Sequence, residues 1–342
     1  MKAIITAGGR GTRMRPLTFS SNKHLIPLAN KPLIFYAIET VVAAGIKTIG
    51  INYNPGQLEE LHQALGDGCR WGAKFTFILQ EKAAGIADIV RSCEQFIKKD
   101  RFVLHLGDNI FYGGIKDLVK YFENFRVNGL LTIMHHSENF RLGVPYFNKQ
   151  GRVVKLVEKP LHPPHDWAIP GLYFADYHIF ECFKKDPIQL SARGEYEIPD
   201  AFQWLIDHGY QVETKEFKGV WRDPGKFDDW LETNKFILER ELGKKAKKDR
   251  GVKLKNTALV GPVIIGKGSR IEDSIIGPDV SVGDNCQIKQ ARIEETILCN
   301  NVIIDNPGKG LKKCLIGDGT RIQNNSGGEI ELFLGNQCNL KL

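Results

Sequence analysis

Over the first 240 or so positions, short apolar runs alternate with stretches in which apolar residues recur every three or four places. Ala3-Ile4-Ile5, Thr48 to Asn52, Phe75 to Leu79 and Phe102 to Leu106 read as buried strands. Leu33 to Ala44, Gln57 to Leu65 and Ile86 to Lys98 carry helical spacing, and the first of these is opened by Pro32 and stopped by Gly45. A further helix is predicted across Trp221 to Leu242. This alternation predicts an α/β domain, Rossmann-like, with a mostly parallel sheet and helices on both faces. Ligands of such sheets bind beyond the carboxyl ends of the strands, which is where the polar motifs of this chain fall.

The pattern then changes. Aliphatic residues recur about every six positions at Ile265, Ile271, Ile276, Val282 and Ile288, and again at Ile316, Ile322, Leu334 and Leu340. Glycine follows several of them, as at Ile265-Gly266, Ile276-Gly277 and Val282-Gly283. This hexapeptide spacing predicts a left-handed parallel β-helix, each aliphatic pointing into a narrow triangular core. The phase slips by one residue at Ile276 and is lost between Asn300 and Lys313, where Asn306 to Gly310 suits a loop. The expected organisation is an α/β domain over 1–242, a basic linker over 243–255 and the β-helix over 256–342.

Composition adds constraints. Of 342 residues 42% are hydrophobic and 25% charged, as in ordinary globular proteins. No apolar run reaches the roughly 20 residues of a membrane span, and the apolar start of the chain is too short for a secretory signal, so a cytoplasmic location is expected. The seven cysteines are scattered without a Cys-x-x-Cys pair, which predicts reduced, packed thiols. Much of the net charge of +7 lies in Arg240 to Lys255, and no nucleic-acid motif accompanies it. Polyanionic small substrates account for the basic balance equally well.

Gly8-Gly9-Arg10-Gly11-Thr12-Arg13 follows the first strand directly. Glycines allow a tight turn that brings backbone N–H groups against phosphate oxygens. Met14 stands where a dinucleotide fingerprint needs its third glycine, and the Gly-Lys-Ser/Thr of a P-loop is absent. The loop alone is therefore compatible with several nucleotide folds. Together with Gly8 to Thr18, the segment Lys23-His24-Leu25-Ile26-Pro27-Leu28 resembles the sugar-1-phosphate nucleotidyltransferase family, and the resemblance runs to about Leu242.

That resemblance implies a reaction in which a sugar 1-phosphate attacks the α-phosphorus of a nucleoside triphosphate and expels pyrophosphate. Such chemistry needs positioning, cations and metal rather than a covalent nucleophile. By the same resemblance Gly8, Gly9, Gly11 and Thr12 hold the triphosphate, and Arg13 and Lys23 are the catalytic cations. Asp108 of Leu106-Gly107-Asp108-Asn109 and Asp223 of Trp221-Arg222-Asp223-Pro224-Gly225 hold Mg2+, a hard cation suited to carboxylate and phosphate oxygens. Gln80 and Gly85 match the stretch that reads the base. Gly143, Glu158, Lys159, Tyr173 and Arg193 match the segments that hold the sugar phosphate. The chain departs from the family pattern at Asn22 (commonly Pro), Pro224 (Thr), Leu142 (an aromatic) and Asp88 (a small residue or His). Histidines 135, 136, 162 and 165 show no ligand spacing with a third partner.

Leu106 to Gly113 and Arg193 to Ile198 resemble the glucose-1-phosphate thymidylyltransferase branch in its long form with an appended β-helix. The resemblance implies dTTP and glucose 1-phosphate as substrates, with UTP or GTP as alternative nucleotides. A mannose-1-phosphate guanylyltransferase has a similar architecture. A non-catalytic sugar-nucleotide-binding subunit is the alternative outside enzymes, although such a subunit is expected to lose Arg13, Lys23, Asp108 or Asp223. Hexapeptide β-helices also serve acyltransferases that use a histidine base, but the last histidine here is His208. The β-helix is accordingly expected to serve oligomerisation, as in a homo-oligomer, or regulation.

Overall fold

A computed structural model describes residues 1–9, 11–323, 328–330 and 332–341. Arg10 of the glycine loop and the side chain of Leu340 lie outside what is described. The chain forms two compact units, one of Met1–Gly9 with Ile34–Arg222 and one of Arg10–Leu33 with Asp223–Leu342.

The first unit is built on seven main strands: β1 (Lys2–Thr6), β2 (Thr48–Tyr53), β3 (Lys74–Leu79), β4 (Phe102–Leu106), β5 (Gly129–His135), β6 (Leu172–Ala175) and β7 (Val212–Glu216). Their spatial order is β3-β2-β1-β4-β6-β5-β7, and β6 alone runs against its neighbours. Helices α1 (Leu33–Ala43), α2 (Leu58–Leu65) and α3 (Ile86–Ser92) carry the chain between the first four strands. Ala3, Ile4 and Ile5 are all fully buried. Successive strand residues face opposite sides, so this central strand is covered on both. From β1 the chain builds outward through β2 and β3, then returns to place β4 on the other flank of β1. That reversal makes the carboxyl ends of β1 and β4 the switch point of the sheet.

Two expected helices are shorter. Ile86 to Lys98 breaks at Cys93 into α3 and a single turn, Glu94–Ile97. In Trp221 to Leu242 only Phe227–Leu242 is helical (α6, after α4 at Lys116–Asn124 and α5 at Ile198–Asp207). Val220–Arg222 instead pairs antiparallel with Ile110–Tyr112. Pro224 explains the difference, because it has no N–H to donate and holds Asp223 out of the helical region.

In the second unit three parallel sheets stack strand upon strand, the arrangement expected for the β-helix. Val263 pairs with Val280 and Arg270 with Gln287, steps of 17 residues in the first coils. One side of the triangle therefore spans five residues rather than six. Ile271 to Ile276 and Ile288 to Ile293 are that side, so the phase slip seen at Ile276 recurs one coil later. The corner is turned by Asn256, Asp273 and Gln290, all at positive φ, a conformation that short polar side chains tolerate. The expected loop is shortened, because Lys309–Lys312 is a strand paired with the preceding coil.

The stretch 243–255, expected as a linker, is the first coil. Ala246–Lys248 pairs with Val263–Ile265 and Lys253–Lys255 with Arg270–Glu272. Its lysines point outward and only alternate residues such as Leu254 face inward, so a basic composition conceals a strand.

Residues 11–33 and α6 pack with the β-helix. The Asn30 Nδ2 donates to the Val282 carbonyl (2.6 Å), and Asn234 of α6 accepts from both Ala29 N (2.8 Å) and Ser281 Oγ (2.7 Å). The Trp230 indole donates to the Pro27 carbonyl (3.1 Å), Lys235 pairs with Asp279 (3.1 Å), and Asn336 Nδ2 donates to Ser21 Oγ (2.8 Å). All seven cysteines are free thiols, five of them buried. No helix among the described residues is long and apolar enough to cross a membrane.

Candidate active site

At the switch point Gly8-Gly9 leaves β1 and Gly107-Asp108 leaves β4. The Gly107 N–H donates to Thr6 Oγ1 (3.0 Å), and a methyl group on Gly107 would collide with the Thr6 carbonyl. A methyl on Gly8 would lie 2.5 Å from Asn54 Oδ1 and 3.2 Å from Asn52 Oδ1. Glycine is required at both because two strand ends and two side-chain amides converge there. The Asn52 and Asn54 side-chain oxygens are buried without a hydrogen-bond partner.

Asp108 is oriented by its neighbour. Asn109 Nδ2 donates to Asp108 Oδ1 (2.9 Å), while Asn109 Oδ1 accepts from the Trp221 indole (2.7 Å). Sequence reasoning quoted both residues without assigning this role, since nothing local links positions so far apart. Beneath them His105 is fully buried on β4. Its Nδ1 donates to the Leu106 carbonyl (2.8 Å), and burial lowers its pKa from 6.5 to about 4. The ring is therefore neutral, and Nε2 has no hydrogen-bond partner.

Gln80 and Gly85 are brought together at the carboxyl end of β3, where Gln80 Nε2 donates to the Gly85 carbonyl (3.2 Å). Gly85 sits at φ +100°, and a methyl there would collide with the Tyr196 carbonyl. Tyr196 N donates to Ala84 O (2.8 Å) and Ala87 N to Tyr196 O (3.1 Å), tying this stretch to the segment that follows Arg193.

Gly143, Glu158, Lys159, Tyr173 and Arg193 also converge. Gly143 faces Glu158 across an antiparallel hairpin, Gly143–Phe147 with Val153–Glu158. Lys159 Nζ lies 3.4 Å and Arg193 Nη2 3.5 Å from Glu158 Oε1. Arg193 is gripped more closely by Glu197 (2.8 Å), which Ser191 Oγ also approaches (2.7 Å). Burial raises the Glu158 pKa, and Glu197 adds to the rise while Lys159 and Arg193 oppose it. Tyr173 is buried on β6, its phenol pushed upward by burial and by the charges of Glu158 and Glu197. Glu197 escaped sequence reasoning, although Arg193 four positions earlier was a signal.

The second unit carries Gly11, Thr12, Arg13, Lys23 and Asp223. Gly11 turns at φ +58°, and a methyl there would come within 3.0 Å of Lys23 Cβ. Thr12–Met14 is a single tight turn anchored by the buried Met14, which leaves Thr12 and Arg13 exposed. Lys23 is buried in a turn whose cap is Asn22, accepting from His24 N (2.8 Å) and facing the His24 ring (2.9 Å). Asn can cap where Pro cannot, so the departure at Asn22 has a structural use. The Arg13 guanidinium packs on the Asp223-Pro224-Gly225 turn, since a methyl on Gly225 would lie 2.9 Å from Nη1.

Among the described residues no three His, Cys, Asp or Glu side chains gather as a metal cluster, the four histidines singled out earlier included. Carboxylates such as those of Asp108 and Asp223 suit a hard divalent cation that takes most of its ligands from substrate phosphates and water. They do not fit zinc, which favours a full set of nitrogen and sulfur ligands.

Comparison with known proteins defines the class. Residues 2–240 match the nucleotidyl transferase family, and the chain belongs to it. Members of this family generally use a divalent metal. Among named relatives, the glucose-1-phosphate thymidylyltransferase of Streptomyces antibioticus is 39% identical over 312 residues, covering 87% of each chain. That of Streptomyces griseus is 36% identical and covers 93% of this chain and 92% of its own. A low-salt glycan biosynthesis nucleotidyltransferase from Haloferax volcanii is 34% identical over 94% of both. A UDP-glucose pyrophosphorylase solved with UDP-glucose shares the fold at 22% identity, with TM-score 0.63 over 70% of this chain and 99% of that one.

Proposed function

We propose that this enzyme transfers a thymidylyl group from dTTP to α-D-glucose 1-phosphate, forming dTDP-glucose and pyrophosphate. One observation carries the reading furthest. Joining two phosphorylated substrates requires two anion-receiving places. The first unit has two separate clusters that suit this role, the glycine-lined strand ends beside Asp108 and the Lys159–Arg193 pair around Glu158. The names of the relatives support the choice of base and sugar.

An oxygen of the sugar phosphate attacks the α-phosphorus of dTTP. The new P–O bond forms as the bond to the β-phosphate oxygen breaks, and that electron pair departs with pyrophosphate. The chain contributes position and charge. Gly8, Gly9, Gly11 and Thr12 hold the triphosphate, and Arg13 and Lys23 stabilise the charge that builds on its oxygens. Gln80 and Gly85 hold the base. Gly143, Glu158, Tyr173, Lys159 and Arg193 hold the sugar phosphate, with Glu158 accepting from sugar hydroxyls. Asp108 and Asp223 are proposed ligands for Mg2+, which when bound supplies Lewis-acid stabilisation of phosphoryl charge. The reading includes a cytoplasmic location and a homo-oligomeric state, as expected from the sequence.

Purified protein with Mg2+ and glucose 1-phosphate is expected to release pyrophosphate fastest with dTTP when dTTP, UTP and GTP are run side by side. Chelation of the metal is expected to stop the release. Absence of release with all three nucleotides overturns the enzyme reading in favour of a sugar-nucleotide-binding subunit.

A further inference from the structure

Asp88, where the chain departs from the family pattern, is drawn into the Gln80 network. Gln80 is 3% exposed, and both hydrogens of its Nε2 are committed, one to the Gly85 carbonyl (3.2 Å) and one to Asp88 Oδ2 (2.8 Å). Its Oε1 accepts from Asn54 Nδ2 (3.3 Å), which also donates to the Gln80 carbonyl (3.1 Å). An amide has the same shape either way round, so orientation is decided by its partners. Reversed, Gln80 would set its oxygen against a carboxylate and a peptide carbonyl at once.

Asp88 is itself fixed. Its Oδ1 is ion-paired with Arg91, and its backbone carbonyl accepts from Ser92 Oγ (2.8 Å). The Arg91 guanidinium lies over the Tyr196 ring at 5.2 Å. Asn54, on the other side, borders Gly8 of the phosphate loop. The network thus connects the loop to Gln80 through direct contacts.

We infer that Asp88 is a positioning residue that turns the ambivalent Gln80 amide into a pure acceptor and thereby selects the nucleotide base. With both donors spent, Gln80 has only an Oε1 lone pair to offer. The edge that satisfies it must present an N–H, as N3 of thymine or uracil does. Cytosine presents an unprotonated N3 there, and two acceptors would face each other in a buried place. The device separates thymine and uracil from cytosine and does not separate the first two from each other. This inference rests on the proposal that Gln80 faces the base.

The test uses the full-length chain as wild type, D88A and D88N. Calorimetric binding of dTTP and of dCTP is measured beside initial rates of pyrophosphate release. Wild type is expected to prefer dTTP by about 100-fold or more, since a site built around a hydrogen bond rejects the mismatched partner strongly. D88A frees the amide to turn, so the preference is expected to fall at least about tenfold, with KM for dTTP rising and kcat within about twofold. D88N is expected to fall between the two, because its single side-chain oxygen cannot accept from Gln80 and Arg91 together. If D88A fails to fold, D88S replaces it, its hydroxyl being too short to reach the amide. Equal wild-type affinity for dTTP and dCTP, or an unchanged preference in D88A, overturns the inference. Turnover of dTTP by wild type in either case leaves the proposed function standing. Conversely, a binding preference lost in D88A supports the role of Asp88 even if no nucleotide is turned over, an outcome that overturns the proposed function instead.

Discussion

Lys159 and Arg193, in the first unit, end on carboxylates, while Arg13, in the second, is placed by a tight turn and a glycine contact. The first device orients a cation before any phosphate arrives, but part of its charge is already answered. The second sets the cation by packing, with the buried Met14 as anchor. Loss of a cation should therefore mean different things in the two places. In the first it uncovers Glu158 and Glu197, two carboxylates that already repel each other. In the second it removes charge from the reaction and leaves the fold nearly untouched.

The largest effect tests the second unit. Arg13→Ala and Asp223→Asn are each expected to lower kcat by about 10²–10³-fold, with far-UV spectra and melting near those of wild type. Turnover close to wild type in either variant removes that residue from the site.

Acid stability tests the first unit. The folded state keeps His105 neutral, so below pH 6.5 the unfolded chain binds a proton that the folded chain does not. Stability is expected to fall as pH drops from 6.5 towards 4, by roughly 3 kcal/mol in all. Urea unfolding at several pH values measures this slope, and H105Q should lack it. An unchanged slope in H105Q assigns the acid sensitivity to other groups.

Smaller is the effect of Arg193→Ala, where the two devices are contrasted directly. It is expected to raise KM for the sugar phosphate more than it lowers kcat, and to cost about 1 kcal/mol of stability that Glu197→Gln partly restores. A purely kcat effect without a stability change would erase the distinction between the two kinds of cation. Smallest is Asn30→Ala, which removes the bond to Val282. It should cost about 1 kcal/mol in urea unfolding with the activity retained, and no change would show that this bond does not brace residues 11–33.

Local patterns made much of this legible. The apolar runs marked β1 to β4 because parallel strands covered on both faces are apolar throughout. Glycine at 8, 85 and 107 was visible as composition, and the collisions that a methyl would cause explain it. What stayed hidden depends on separations the chain does not advertise. Asn109 meets Trp221, Gln80 meets Asp88 and Asn54, and Arg193 meets Glu158 only after folding. The coil at 243–255 was missed for another reason, since an outward-facing lysine in a narrow coil resembles a lysine in a linker.

Periodicity thus sufficed for the α/β domain and the β-helix, because burial imposes its period on the sequence directly. The tertiary structure alone decided that residues 11–33 join α6 and the β-helix in one unit, which way the Gln80 amide faces, and which carboxylate holds Arg193. Those outcomes depend on hydrogen-bond partners chosen across the fold, and a single partner's geometry outweighs any local preference of the residue that it orients.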